Sequence, residues 1–211
     1  MREVNIVWQD EHLLVVDKPA CVLVVQAPGR RAPTVVDLAG SQLGQTLFPV
    51  HRLDEDTTGA LVIARTPAAR AGMEALFEKH DLERSYLALV TGTPNPRAGR
   101  IESQLLERDG RVEVVARGGQ KAITDYEVLD RRGRGALVRC TLHTGRRNQI
   151  RAHLAALGCP VAGDRKYGWR ARGNEHPARV LLHSWRIAFR HPITGAEVRV
   201  EVQPPEAELR P

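Results

Sequence analysis

What most constrains the fold of this chain is a succession of short runs rich in Val, Leu and Ile, each closed by Gly, Pro or polar residues. Residues 4–8, 12–17, 22–26, 60–64, 85–91, 111–115, 122–129, 135–142, 180–189 and 197–203 all have the length and composition of strands. The run Ala60-Leu61-Val62-Ile63-Ala64 is apolar throughout, which predicts a strand covered on both faces. Helical patterns are few. Thr34 to Leu43 has helical spacing through Val35, Leu38 and Leu43. Thr66-Pro67 supplies a hydroxyl cap and a first-turn proline, and Met73, Leu76, Phe77 and His80 fall on one face of the helix that follows. A third helix is predicted to start after Thr144-Gly145 and run to Leu157, ended by Gly158. In it Ile150, Leu154 and Leu157 would face the core, while Arg147 and Arg151 share a neighbouring face. The polar, arginine-rich stretch 164–179 predicts a mobile loop. Many strands, not in strict alternation with helices, predict an α+β fold on a largely antiparallel sheet.

With 211 residues, 42% of them hydrophobic, the chain can bury one sizeable core, so a single domain over 1–211 is expected. Aromatic residues are only 4%, so that core must be aliphatic and each exposed aromatic ring is the more telling. Lys and Arg outnumber Asp and Glu by 31 to 25, a net charge of +6 that favours a polyanionic partner. Three widely spaced cysteines, Cys21, Cys140 and Cys159, argue against a disulfide framework. His143, His153 and Cys159 match no common ligand spacing, so no metal is expected. No signal segment and no apolar run of membrane-spanning length is apparent, which predicts a cytoplasmic protein without a membrane partner.

The stretch His51-Arg52-Leu53-Asp54-Glu55-Asp56-Thr57-Thr58-Gly59 stands out. It sets a carboxylate between a cation and a hydroxyl-rich turn, then enters the apolar run at Ala60. Glycine after two threonines permits a tight turn, so Asp54 would sit on a short loop fixed by a strand. Such loops carry catalytic groups, but an isolated one is equally a solvated turn with a surface ion pair. Asp56 invites a two-carboxylate reading, although a turn-capping role suits its position better. Phosphate-cradling and dinucleotide-binding glycine motifs are absent.

The His51–Gly59 stretch resembles the H-R-L-D-x-x-T-S-G signature of the RluA-type RNA pseudouridine synthases, with Thr58 for the commoner serine. The likeness extends over most of the chain. Val4 to Ala20 resembles the opening of that catalytic domain, with Cys21 where glycine is usual. Arg84 to Gly92 is similar to the segment with the family's active-site tyrosine, and Lys121 to Tyr126 to a further family stretch. Leu142 to Leu154 is similar to the segment that supplies an arginine partner to the aspartate, with Asn148 where histidine is frequent.

The resemblance implies a mixed central sheet with flanking helices and a catalytic cleft, without the N-terminal accessory RNA-binding domain of some relatives. It implies Asp54, Tyr86 and Arg151 as catalytic residues, and His51, Arg52, Thr58, Arg147, Asn148 and Gln149 as substrate-binding. Tyr86 would stack the extruded base, although alone it also reads as a buried strand tyrosine, and Arg151 as a solvent-facing helix residue. Arg52 would fill the vacated stack or hold a phosphate, and Arg147, Arg165, Arg170 and Arg172 are further candidates for phosphate contacts. The reaction breaks C1′–N1 and joins C1′ to C5 without redox change or phosphoryl transfer, so no cofactor is expected. The implied substrate is uridine in a stem-loop of ribosomal or transfer RNA, modified by a monomer. A glycosylase using Asp54 and a non-catalytic RNA-binding module are the competing functions.

Overall fold

The computed structural model describes residues 3–171, 177–206 and 209. In chain order the first elements are β1 (Asn5–Gln9), β2 (Leu13–Lys18), α1 (Val35–Leu43), β3 (Phe48–Pro49), β4 (Thr58–Ala64), α2 (Pro67–Lys79) and β5 (Glu83–Thr91). Then come β6 (Ala98–Arg108), β7 (Arg111–Val115), β8 (Gln120–Arg132), β9 (Gly135–Leu142), α3 (Gln149–Ala156), the one-turn 3-10 helix Arg165–Tyr167, β10 (Leu182–Arg190) and β11 (Glu197–Glu201). This is the expected α+β fold, strand-rich with few helices. The chain divides into two compact units: residues 1–83 with 184–203, and residues 84–183 with 204–211. No helix among the described residues is long and apolar enough to cross a membrane.

In the first unit β4 is the spine. It pairs antiparallel with β2, through Val15↔Val62 and Lys18↔Gly59, and with the short β3. Every residue of β4 is buried, as an apolar run without alternation predicts. Leu13, Val15, Val62, Met73, Ile187, Phe189, Val198 and Val200 form the core of this unit. Fully burying each of the larger side chains is worth roughly 1.5–3 kcal/mol. Helix α2 begins where the hydroxyl-proline pair predicts, the Thr66 side chain accepting from the Ala69 N–H at 3.2 Å. Met73 is fully buried and Leu76 and Phe77 pack on the core, but His80 is exposed and ends the helix in the left-handed region, φ 57°. Residues 22–26 are not a strand: Val22 and Val24 are buried, yet the backbone is irregular and the Leu23 carbonyl receives the first N–H of α1, from Val35, at 2.8 Å.

In the second unit the strand order is β5-β9-β8-β6-β7, antiparallel throughout. Strand β6 has no counterpart in the sequence reading, because Glu102, Gln104, Glu107 and its neighbouring arginines hide an alternation in which only one face is covered. The register sets Tyr86 opposite Cys140 and Tyr126 opposite the same Cys140, so the three share a face. Helix α3 packs on β7 and β8, where Ala152 and Tyr167 meet Leu105, Val112 and Ala122.

Helix α3 is shorter than predicted at both ends. It starts at Gln149, and Leu157 lies beyond it, 39% exposed instead of facing the core. Arg147 therefore precedes the helix and shares no helical face with Arg151; it pairs with Glu107. The stretch 164–171 is not a loose loop, since Asp164, Tyr167 and Trp169 are all buried. Arg172, one of the proposed phosphate contacts, lies outside the described residues.

Candidate active site

The first unit carries His51, Arg52, Asp54 and Thr58. Their loop turns where the Thr57 N–H donates to the Asp54 carbonyl at 3.1 Å, and Gly59 follows at φ 102°, a conformation side chains disfavour. Lys18, fully buried, donates its ammonium to the carbonyls of Glu55 and Pro19, both at 2.8 Å. A buried cation needs such partners, and here meeting that need ties β2 to the loop. His51 is also tied in: its Nε2 accepts from the Val62 N–H at 3.0 Å, and its ring stacks on Phe77 at 4.5 Å. That contact fixes the proton on Nδ1 whenever the ring is neutral. Leu53 is buried between exposed Arg52 and half-buried Asp54, so the loop has one apolar anchor between two polar side chains. Thr58 is buried at the start of β4, and the exposed Cys21 thiol donates to Asp56 Oδ1 at 3.9 Å.

The second unit carries Tyr86, Arg147, Asn148, Gln149 and Arg151. Tyr86 is buried in the middle of β5, with buried Arg84 two residues earlier on the same face. Burial pulls the Arg84 guanidinium below its ordinary value, an effect the neighbouring Tyr86 opposes. The guanidinium packs closely on Gly145, where a Cβ would lie 2.6 Å from Arg84 Nη1 and displace it.

Gln149 is the hub of a buried polar network. Its Oε1 accepts from Thr144 Oγ1 at 2.8 Å and from the Arg146 N–H at 3.0 Å. Its amide nitrogen donates to the Ile123 carbonyl at 3.0 Å and to Thr124 Oγ1 at 2.9 Å. Both donors and both acceptor positions of the amide are thus taken by the protein itself. Thr124 in turn meets His153 Nδ1 at 2.9 Å, and His153 Nε2 meets Ser103 Oγ at 2.9 Å. Burial pushes the His153 imidazole down to about 4, so it is neutral at physiological pH.

Asn148 precedes the helix in the left-handed region, φ 50°, and its Oδ1 accepts from the Tyr167 hydroxyl at 3.3 Å. Arg151 is forked onto Asp164, Nε to Oδ2 at 2.6 Å and an Nη to Oδ1 at 2.9 Å, with the Tyr167 ring centroid 5.1 Å from its Cζ. The sequence singled out neither Lys18 nor Asp164 nor Tyr167. A signal existed for the last two: Gly163-Asp164 and Tyr167-Gly168 frame a one-turn cap, in which Asp164 Oδ1 accepts from the Tyr167 N–H at 3.3 Å.

The first unit thus carries a carboxylate on a hydrogen-bonded turn, and the second a tyrosine and a clamped guanidinium. A protein-family model described as RNA pseudouridylate synthase matches residues 12–156. The ribosomal large subunit pseudouridine synthase D of Zymomonas mobilis is 36% identical over 96% of this chain and 69% of its own length. An uncharacterized RNA pseudouridine synthase of Bacillus subtilis is 35% identical over 98% of this chain and 72% of its own. Among solved structures, human RNA pseudouridylate synthase domain containing 1 superposes with a TM-score of 0.82 at 26% identity, over 96% of this chain and 84% of that one.

Proposed function

Since the chain belongs to the RluA-type RNA pseudouridine synthases, we propose that Asp54, Tyr86 and Arg151 act together on one uridine of a ribosomal RNA stem-loop. The family membership makes the reaction an isomerisation of uridine in RNA. The observation that supports the site assignment is the loop of Asp54, where the Thr57 N–H and the Lys18 ammonium bond the turn's carbonyls and Gly59 permits the positive φ that follows. In the proposed reaction Asp54 serves beside C1′ and C6, as nucleophile or as base. The C1′–N1 bond breaks, the uracil turns over, and C1′ joins C5; the C5 proton leaves to solvent while N1 takes one up. Stacking the extruded base on Tyr86 contributes roughly 1–3 kcal/mol toward the cost of flipping. Arg52, exposed beside Asp54, is suited to fill the vacated stack with its planar guanidinium. Arg151 is the proposed cationic partner that keeps Asp54 ionised and aimed. Gln149 is assigned to holding the loop rather than to touching RNA, since its amide is already saturated.

Ribosomal RNA is the favoured substrate because relatives at 36% and 34% identity are named for the large ribosomal subunit. We place the enzyme in the cytoplasm, acting as a monomer without metal. The test uses RNA tritiated at uracil C5. Large-subunit stem-loops are expected to release tritium and yield pseudouridine in the presence of EDTA, faster than the same sequences as duplex or than transfer RNA. Free uracil as the main product would make the protein a glycosylase, and a preference for transfer RNA would overturn the ribosomal assignment.

A further inference from the structure

Among the described acids of the second unit Asp164 is the most deeply buried: its side chain is 1% exposed, and that of its partner Arg151 12%. Both its oxygens meet the guanidinium, which defines the plane of that group as a single contact would not. Its Oδ1 also accepts from the Tyr167 N–H and so closes the turn that sets the Tyr167 ring against Arg151. The Tyr167 hydroxyl is fixed in turn, accepting from the Val112 N–H at 3.1 Å and donating to Asn148. Arg151 is therefore held edge-on by a carboxylate and face-on by a ring, and both holders are buried. A buried ion pair adds little net stability over apolar packing, whereas a fork and a ring set an orientation.

We propose that Asp164 is a positioning residue for the isomerisation, fixing the plane of the Arg151 guanidinium, with Tyr167 fixing its face. The inference rests on the reading of Arg151 as the partner of Asp54. Asp164 itself touches neither base nor ribose in this scheme. Its replacement should slow the chemical step and leave RNA binding alone, because it removes no phosphate contact.

Single-turnover rates at saturating stem-loop RNA, together with the Kd for that RNA, test this. Asp164→Asn preserves volume but puts a donor against the guanidinium; it should slow turnover by about thirtyfold with Kd changed less than about threefold. Tyr167→Leu removes the ring and leaves the carboxylate, and should slow turnover by about fivefold. Both substitutions are then repeated on Arg151→Lys, itself expected to be slow. A lysine has no plane to orient, so each should now change the rate by less than about twofold. Losses that multiply in the lysine background, or an undiminished rate for Asp164→Asn, overturn the inference while sparing the role of Arg151. A normal rate for Arg151→Lys alone removes that role, and the inference with it. Should Asp164→Asn fail to fold, Tyr167→Leu carries the same comparison.

Discussion

The Asp54 loop and the segment that leads to Arg151 are held in opposite ways. Around Asp54 the ties that reach into the fold end on main-chain atoms, the Asp54 and Glu55 carbonyls and the Val62 N–H that reaches His51, while the side-chain contacts of Glu55 to Arg30 and of Asp56 to Cys21 are exposed. Around Arg151 they run from side chain to side chain, through Thr144, Gln149, Thr124, His153 and Ser103, and through Asp164 and Tyr167. Main-chain atoms survive every substitution except proline's loss of the N–H, so the first arrangement lets the Asp54 side chain be changed without loosening the loop. A side-chain network has no such protection, because each removed member leaves a buried partner unsatisfied. The comparison teaches that catalytic and structural effects should separate cleanly at Asp54 and mix near Arg151.

The largest expected effect is at Asp54. Asp54→Asn is nearly isosteric, and an amide is neither a useful nucleophile nor a base. It should lower turnover by at least about a thousandfold, about 4 kcal/mol of barrier, with thermal stability unchanged and RNA affinity within a few-fold. Appreciable turnover would remove Asp54 from the chemistry, and a lower melting temperature would break the claim that main-chain ties hold the loop.

Gln149→Leu is the converse. It deletes four hydrogen bonds to buried or half-buried groups, each worth about 1 kcal/mol, so urea denaturation should show a loss on the order of 4 kcal/mol. Normal stability with impaired RNA binding would instead return Gln149 to the substrate contacts expected from sequence.

The network also predicts a pH dependence. The folded His153 titrates at about 4, below its ordinary 6.5, so between those values the unfolded chain binds the extra proton. This contribution is complete above pH 6.5 and is lost as pH falls toward 4, on the order of 3 kcal/mol in all. His153→Gln should flatten the stability profile across that window; an unchanged profile would sever the network from the fold's acid sensitivity.

The smallest effect concerns α2, against which the Asp54 loop leans through Phe77. Thr66→Ala removes the cap on Ala69 and should cost about 1 kcal/mol with turnover intact. A large fall in turnover would show that the main-chain ties alone do not hold the loop.

Much of this architecture was legible from local patterns. The run 60–64, the Thr66-Pro67 start and the strands at 85–91 and 135–142 depend on apolar periodicity and capping, which neighbouring residues carry in full. The chain's similarity to a known family likewise resides in ordered short motifs, so its reaction could be named before any fold was seen. Strand β6 was hidden because its polar face is polar in composition and its covered face is covered only by residues remote in sequence. The start of α3 was misplaced by three residues, because Gln149 draws Thr144, Arg146 and Thr124 into a network that no helix propensity encodes. Which residues exist to do chemistry was therefore set by types and spacings along the chain. Which residues hold them was decided only when folding brought Lys18 to Glu55, and Asp164 to Arg151, since a buried charge finds its partner in space and not in sequence.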